Sequence, residues 1–412
     1  MRSIKTSLPG CQYGLSLYYL DANGNRAETD AVIAYDDVII VVESKAGALS
    51  YRACRGDTSR IRRDFASLVN DAFVQASRTA AYIRGNDRAV FHDERGNESL
   101  VINRKRIRRI YLVNVVKDAI DPFAVELADA RSKGLLSNEI TDWPWTVFIN
   151  DLQIVTSILD SPAQLLTYFE HRQRFNDQKE WMLMQDEMDL LHYSIKTGFL
   201  LDKSRFDPMA TLIWQADMND FYQYFEGPEL GEDPGPKPAL NLPSMTMSLV
   251  QGCERSGLSG RMAVAVCLMT LGHSYQSELQ RVLPAVIEKV TTRDRPQRCQ
   301  FIIDGEGLSC WFYSEWNADI ANHLRSDDRL LKYKNKADKW ITAIFILKDG
   351  QLILTDVGVQ AAPWKPDREM EACVASAARQ LLADEKHTPL KIGRNSPCQC
   401  GSGKKLKRCC GR

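Results

Sequence analysis

The chain has 412 residues, 53 basic against 53 acidic, for a formal net charge of zero, and 44% of its residues are hydrophobic. That length predicts two or three domains. The balanced charge excludes a chain that is a polycation or polyanion as a whole, and the composition excludes a disordered or fibrous one.

No apolar run reaches the eighteen or so residues of a membrane span, and residues 1–5, Met-Arg-Ser-Ile-Lys, lead into no apolar core of a signal peptide. The expectation is a cytoplasmic protein. Its eleven cysteines are then thiols or metal ligands rather than disulfides. Seven of them (Cys11, Cys54, Cys253, Cys267, Cys299, Cys310, Cys373) are scattered and read as structural, while four crowd into the tail.

In chain order, residues 15–20 read as a strand and Asn23-Gly24 as its hairpin turn. Residues 31–35 and 38–42 read as two more strands joined at Asp36-Asp37. Together they make a three-strand meander over residues 15–47. The run at 38–42 is continuous and β-branched, which predicts a strand buried on both faces. It ends in Glu43-Ser44-Lys45. Side chains two apart on a strand share a face, so Glu43 and Lys45 point the same way, and antiparallel pairing across the turn would bring Asp30 beside Glu43. Two carboxylates and a lysine converging at a strand end are costly unless a cation and a substrate use them. The competing reading is a surface hairpin with an ordinary Glu–Lys pair.

A loop with Arg52 and Arg55 follows, then a helix over about 59–84 with an apolar stripe at helical spacing. Gln75 falls at the edge of that stripe. Residues 89–92 and 99–102 flank Gly96-Asn97 as a small hairpin. Arg104, Lys105, Arg106, Arg108 and Arg109 then enter a strand over 110–116. Residues 52–109 hold fourteen Lys or Arg against seven acids, so the basic run reads as phosphate contact beside an acidic site. The competing reading is a solvated sheet edge. Residues 121–134 read as helix and 146–149 as strand. Asn150 or Asp151 would cap the next helix and Ser161-Pro162 the one after it. Packed helices are expected to about residue 199.

Residues 227–243, rich in Gly and Pro, read as a linker. Helices are expected over 244–255, 259–271, 275–290 and 370–383, with strands over 301–304, 309–313, 341–347 and 352–356. This second module shows no convergent catalytic set.

The tail reads Cys398-Gln399-Cys400, then eight residues, then Cys409-Cys410. Four thiolates at this spacing suit one tetrahedral structural Zn²⁺, and so short a segment folds only with metal. A phosphate-binding reading of Gly-Ser-Gly-Lys-Lys fails, because Lys405 stands where Ser or Thr is required.

The stretch Asp30…Glu43-Ser44-Lys45 resembles the PD-(D/E)xK nuclease superfamily, in particular its nuclease-related domain type. The resemblance implies a restriction-endonuclease-like mixed sheet with flanking helices. In it Asp30 and Glu43 would hold Mg²⁺ or Mn²⁺, joined by the Ser44 carbonyl. Lys45 would assist the attacking water and Gln75 would stand in the place of the superfamily's helical Gln. DNA is the implied partner. The chain departs from the pattern at its start, where about fourteen residues precede the first strand, without an acidic residue or a helical stripe. The tail is similar to the SEC-C motif of the SecA translocase, with Cys410 where the SecA form has His. It implies recruitment of a protein partner. The alternative is a non-catalytic adaptor acting through that motif on a translocation chaperone or the ribosome. The expected architecture is α/β (α+β): a nuclease-like domain at 1–120, a helical extension at 121–226, the linker at 227–243, an α+β domain at 244–385 and the zinc motif at 394–412.

Overall fold

The structure, a computed structural model, describes residues 2–383 apart from 122–123, 137–141, 178–181, 202–210, 229–230, 232, 234, 294–295, 304 and 316, and beyond 383 only Lys405 and Arg408. The four tail cysteines, and with them the expected zinc knuckle, lie outside the described residues. The chain divides after Asn241 into two units, each mixed α/β. Among the described residues no helix is long and apolar enough to cross a membrane.

The first unit opens on α1 (Arg2–Ser7), where the sequence shows no helical stripe. Ile4 and Leu8 are its anchors, and Ser7 Oγ donates to the Thr156 carbonyl at 2.9 Å. A helix of six residues is too short for periodicity to reveal it. The meander follows as expected: β1 (Gln12–Leu20), β2 (Arg26–Tyr35) and β3 (Val38–Lys45), antiparallel throughout. Val38 to Val42 are all buried, which is why that run carries no polar alternation.

Next come α2 (Tyr51–Cys54) and α3 (Thr58–Phe65). The chain then passes through one π-helical turn, Ala66–Asn70, directly into α4 (Asp71–Gly85). The single helix expected over 59–84 thus contains an inserted residue. β4 (Arg88–His92) and β5 (Glu98–Asn103) form the small hairpin. β6 (Arg109–Val116) runs parallel to β3, and after α5 (Leu127–Ser132) β7 (Trp145–Phe148) runs parallel to β6. The strand order is β5-β4-β1-β2-β3-β6-β7. Residues of β1–β6 and of α3–α4 share one core, which includes Val41, Phe65, Leu68 and Leu112. That core fixes which face of β3 the helices cover.

α6 (Ile149–Ile158) is capped by neither Asn150 nor Asp151; both lie inside its first turn, and Phe148 is the N-cap. α7 (Pro162–Asp177) opens on proline, with Ser161 Oγ accepting from Gln164 N–H, as expected. β8 (Met182–Met184), α8 (Glu187–Thr197), β9 (Leu212–Trp214) and α9 (Asn219–Phe225) complete the unit. Arg172 and Glu187, both buried, pair at 3.4 Å, and Glu187 also accepts from Trp145 Nε1 and Tyr168. The end of the Gly/Pro segment packs on this unit: Lys237 pairs with Asp160 at 2.6 Å, and Asn241 donates to the carbonyls of Ile195 and Lys196.

The second unit has α10 (Ser244–Arg255), α11 (Arg261–Met269), α12 (His273–Arg293), β10 (Gln297–Ile303), β11 (Glu306–Tyr313), α13 (Ala318–Lys334), β12 (Lys339–Lys348), β13 (Gln351–Gln360) and α14 (Arg368–Ala383). Its sheet runs in chain order, with only the α13 crossover joining parallel strands. Gly307 lies opposite Trp340 in that parallel pair, and a Cβ on it would meet the indole at 2.2 Å. Trp340 is fully buried and donates to Ser309 Oγ at 3.0 Å, so it cannot swing aside. Gly307→Ala is expected to destabilise this unit by about 1–3 kcal/mol through overpacking. Urea unfolding would show it as a lower midpoint at unchanged slope.

Candidate active site at the end of the third strand

Glu43 and Lys45 lie on the face of β3 that α3 and α4 cover. Lys45 Nζ donates to Gln75 Oε1 on α4 at 2.6 Å. The sequence-predicted pair from strand and helix is therefore in direct contact. Glu43 is 3% exposed, and its Oε1 accepts from Thr29 Oγ1 at 2.7 Å. Burial pushes its carboxyl up to about 7, and the Asp30 charge adds to the rise. The Thr29 hydroxyl and the positive charges of Lys45 and Arg78 oppose it.

Asp30 does not sit across from Glu43 in the simple way that strict alternation predicts. The β1–β2 ladder pairs Leu15 with Ala31 and Leu17 with Thr29 but skips Ser16 and Asp30. Ser16 has a left-handed backbone, φ 46°. The skipped pair acts as a bulge does, turning the faces of the residues beyond it. Gly14 and Leu17 consequently crowd the same side, where a Cβ on Gly14 would meet the Leu17 side chain at 2.6 Å. Thr29 is thereby aimed at Glu43. Asp30 Oδ2 instead accepts from the backbone N–H and the hydroxyl of Ser44, each at 2.7 Å. Among the described residues no three or more His, Cys, Asp or Glu gather to hold a metal.

Asn114 stands in register opposite Glu43 on β6 and is 2% exposed. Its Nδ2 donates at 2.8 Å to the Leu68 carbonyl, inside the π-helical turn. A π-turn breaks the regular ladder of carbonyls, and such turns recur at functional sites. Its position also sets the rotation at which α4 presents Gln75 to Lys45. Three members of this site escape sequence reasoning: Thr29, Asn114 and Arg78. Asn114 leaves one signal, a lone amide in the apolar run 110–116. Thr29 and Arg78 leave none.

The basic residues fall into two places. Arg52 lies in α2 and Arg55 caps its C-terminus, just past the end of β3. Arg52 pairs with Asp57 at 2.9 Å, and Arg55 donates to Tyr51 Oη at 2.8 Å. Arg104, Lys105 and Arg106 form a 3-10 turn before β6. Arg109 lies opposite Val38, seven positions from Lys45 along the parallel ladder, or roughly 23 Å at strand rise. Arg108 is tied to Asp37 at 2.8 Å and Arg109 to Glu170 at 3.1 Å. The expectation that the run at 104–109 flanks the acidic site is corrected: it enters the strand at the end opposite Glu43 and Lys45.

A family model of the SEC-C motif matches residues 394–412. Protein translocase subunit SecA of Polynucleobacter necessarius subsp. necessarius is 42% identical over 69 residues, 16% of this chain and 7% of that protein. SecA of Stenotrophomonas maltophilia is 42% identical over 89 residues, 22% and 9%. SecA of Carboxydothermus hydrogenoformans is 82% identical over 22 residues, 5% and 2%. The chain thus spans less than a tenth of the length of these relatives. No solved structure matches it. Residues 394–412 carry a SEC-C motif, a segment of zinc-binding type.

Proposed function

We propose that the first unit is a divalent-cation-dependent nuclease of the PD-(D/E)xK type acting on DNA, with the SEC-C tail as its recruiting element. The observation that carries the reading is the junction at the end of β3. There Glu43 is buried with no ion-pair partner among the described residues, beside the Lys45–Gln75 hydrogen bond. An interior carboxylate without a cation is a poor structural choice. The order helix, antiparallel meander, helix and parallel strand also suits the restriction-endonuclease-like fold.

Glu43, whose Oε1 alone is taken by Thr29, offers a hard oxygen to Mg²⁺ or Mn²⁺, ions that keep several waters beside one or two carboxylates. Asp30, held through Oδ2 by Ser44, would join as a second carboxylate only through its other oxygen. A bound ion would polarise the phosphate and lower the pKa of a water. The chain's own groups do the rest. Gln75 spends its Oε1 on Lys45, which fixes the ammonium in place and leaves the amide N–H donors to hold the attacking water. Lys45 meets the charge that develops on phosphate. Water oxygen bonds to phosphorus as the bond to the leaving nucleoside oxygen breaks, and that oxygen leaves with a proton. Arg52 and Arg55, at the same strand end, are the phosphate contacts outside the centre.

The test is cleavage of single- and double-stranded DNA with Mg²⁺ or Mn²⁺, with Glu43→Ala as the inactive control. DNA left uncut by the wild type would reject the nuclease and favour the adaptor reading, which the SEC-C motif itself supports. In either case the tail is expected to bind one zinc through Cys398, Cys400, Cys409 and Cys410. Metal analysis of the full chain against a chain lacking residues 394–412 checks this; equal zinc in both would overturn it.

A further inference from the structure

α4 carries one more group over the mouth of the site. Arg78 follows Gln75 by three residues, so the two are neighbours on one face of the helix. Gln75 is half-buried against Lys45, whereas Arg78 is exposed. The Arg78 charge reaches the Glu43 carboxyl, yet among the described residues its guanidinium makes no hydrogen bond or ion pair. Its neighbours behave differently: Arg84 on the same helix pairs with Asp142 at 3.0 Å, and Arg88 pairs with Glu98 at 3.1 Å. Closing Arg78 onto Glu43 would draw a guanidinium into the sheet–helix layer, where desolvation exceeds the Coulombic gain unless every donor is satisfied. Thr29 already occupies Glu43 Oε1. Arg78 therefore stays at the rim as an unpaired fork of donors beside buried carboxylate chemistry, and it contributes nothing evident to the fold.

We propose that Arg78 grips the phosphodiester at the reacting linkage, taking its two non-bridging oxygens while Gln75 holds the attacking water and Lys45 meets the charge that develops on phosphate. The inference rests on the nuclease reading above. It adds a substrate-contacting residue and a geometry to that reading, because a planar guanidinium matches a phosphate with two parallel N–H bonds and an ammonium does not.

The test compares wild type, Arg78→Ala, Arg78→Lys and Lys45→Ala in the full chain. Two readouts are taken on one oligonucleotide: single-turnover cleavage, and binding across a salt series with Ca²⁺ in place of Mg²⁺. Arg78→Ala is expected to cleave about ten- to a hundredfold more slowly, with Arg78→Lys recovering part of the loss. Its salt slope should fall by about one, the change expected when one phosphate is no longer neutralised. The melting temperature should not move, since the side chain is exposed. Cleavage by Arg78→Ala within about twofold of wild type, with Lys45→Ala inactive, overturns the grip and leaves the nuclease reading standing. If the wild type cuts nothing, the nuclease reading falls and binding decides. A slope lower by about one in Arg78→Ala still supports a phosphate contact; an unchanged slope, or no binding, overturns it.

Discussion

Lys45→Ala is expected to slow single-turnover DNA cleavage by about a hundred- to a thousandfold, the loss usual for one transition-state donor, while DNA binding stays within about twofold of wild type. The split follows from placement. Lys45 is half-buried, and its ammonium is fixed by Gln75 at 2.6 Å. A group held that way acts where charge develops and adds little to the ground-state complex. Neutralising Arg52 and Arg55 should do the reverse, weakening binding for all sequences alike and flattening the salt dependence by about one unit of slope for each phosphate no longer neutralised. The same change at Lys105 and Arg106, exposed at the far end of the strand, separates a local groove from a general basic surface. Filter binding beside single-turnover cleavage, on the same preparations, reads both effects. If Lys45→Ala cuts as well as the wild type, residues 43–45 are not the catalytic centre.

The sequence speaks clearly wherever local pattern and structure share a cause. The run at 38–42 is apolar because both faces of β3 are covered, so the strand and the end that carries Glu43 and Lys45 can be read together. Gln75 can be read from its offset to the apolar stripe, although the π-turn within that stretch cannot. Register is where reading fails. One left-handed serine, Ser16, redirects Thr29 and Asp30, and nothing in the residue type announces it. The run at 104–109 is conspicuous as charge, but only the parallel ladder shows at which end of the strand it lies. α13 escapes sequence reading altogether. Its buried face is Ala321, Leu324, Asp328 and Lys332, so two charged residues interrupt the stripe that would reveal it. Asp328 belongs there because it accepts from Trp311 Nε1 and Thr342 Oγ1. The marks it leaves are at its ends: the Asn317 cap, Asp319 in the first turn, and Lys332 and Lys334 in the last.

Glu43→Gln is expected to stabilise the first unit by about 3 kcal/mol above neutral pH, and by less than about 1 kcal/mol at about pH 5. The sign follows from linkage. Burial raises the folded-state carboxyl from 4.5 to about 7. Between those values the folded chain binds more proton than the unfolded one, so the stability that this group contributes is present below about 4.5 and is lost as pH rises through about 7. A glutamine keeps the acceptor for Thr29 and carries no charge to desolvate, so the dependence disappears with it. Asp121 and Asp151 are also pushed up to about 7, chiefly by burial. They act in the same direction in both proteins and cancel in the comparison. Urea midpoints of the first unit's transition, at about pH 5 and about pH 8 in chelator, measure the effect. Adding Mg²⁺ at the higher pH should then stabilise the wild type and not the variant, because a ligand stabilises only the state that binds it. A variant that loses stability at both pH values would mean that Glu43 is a satisfied structural carboxylate. The strand end would then hold an ordinary buried hydrogen bond, and the case for a cation there would fail at its first residue.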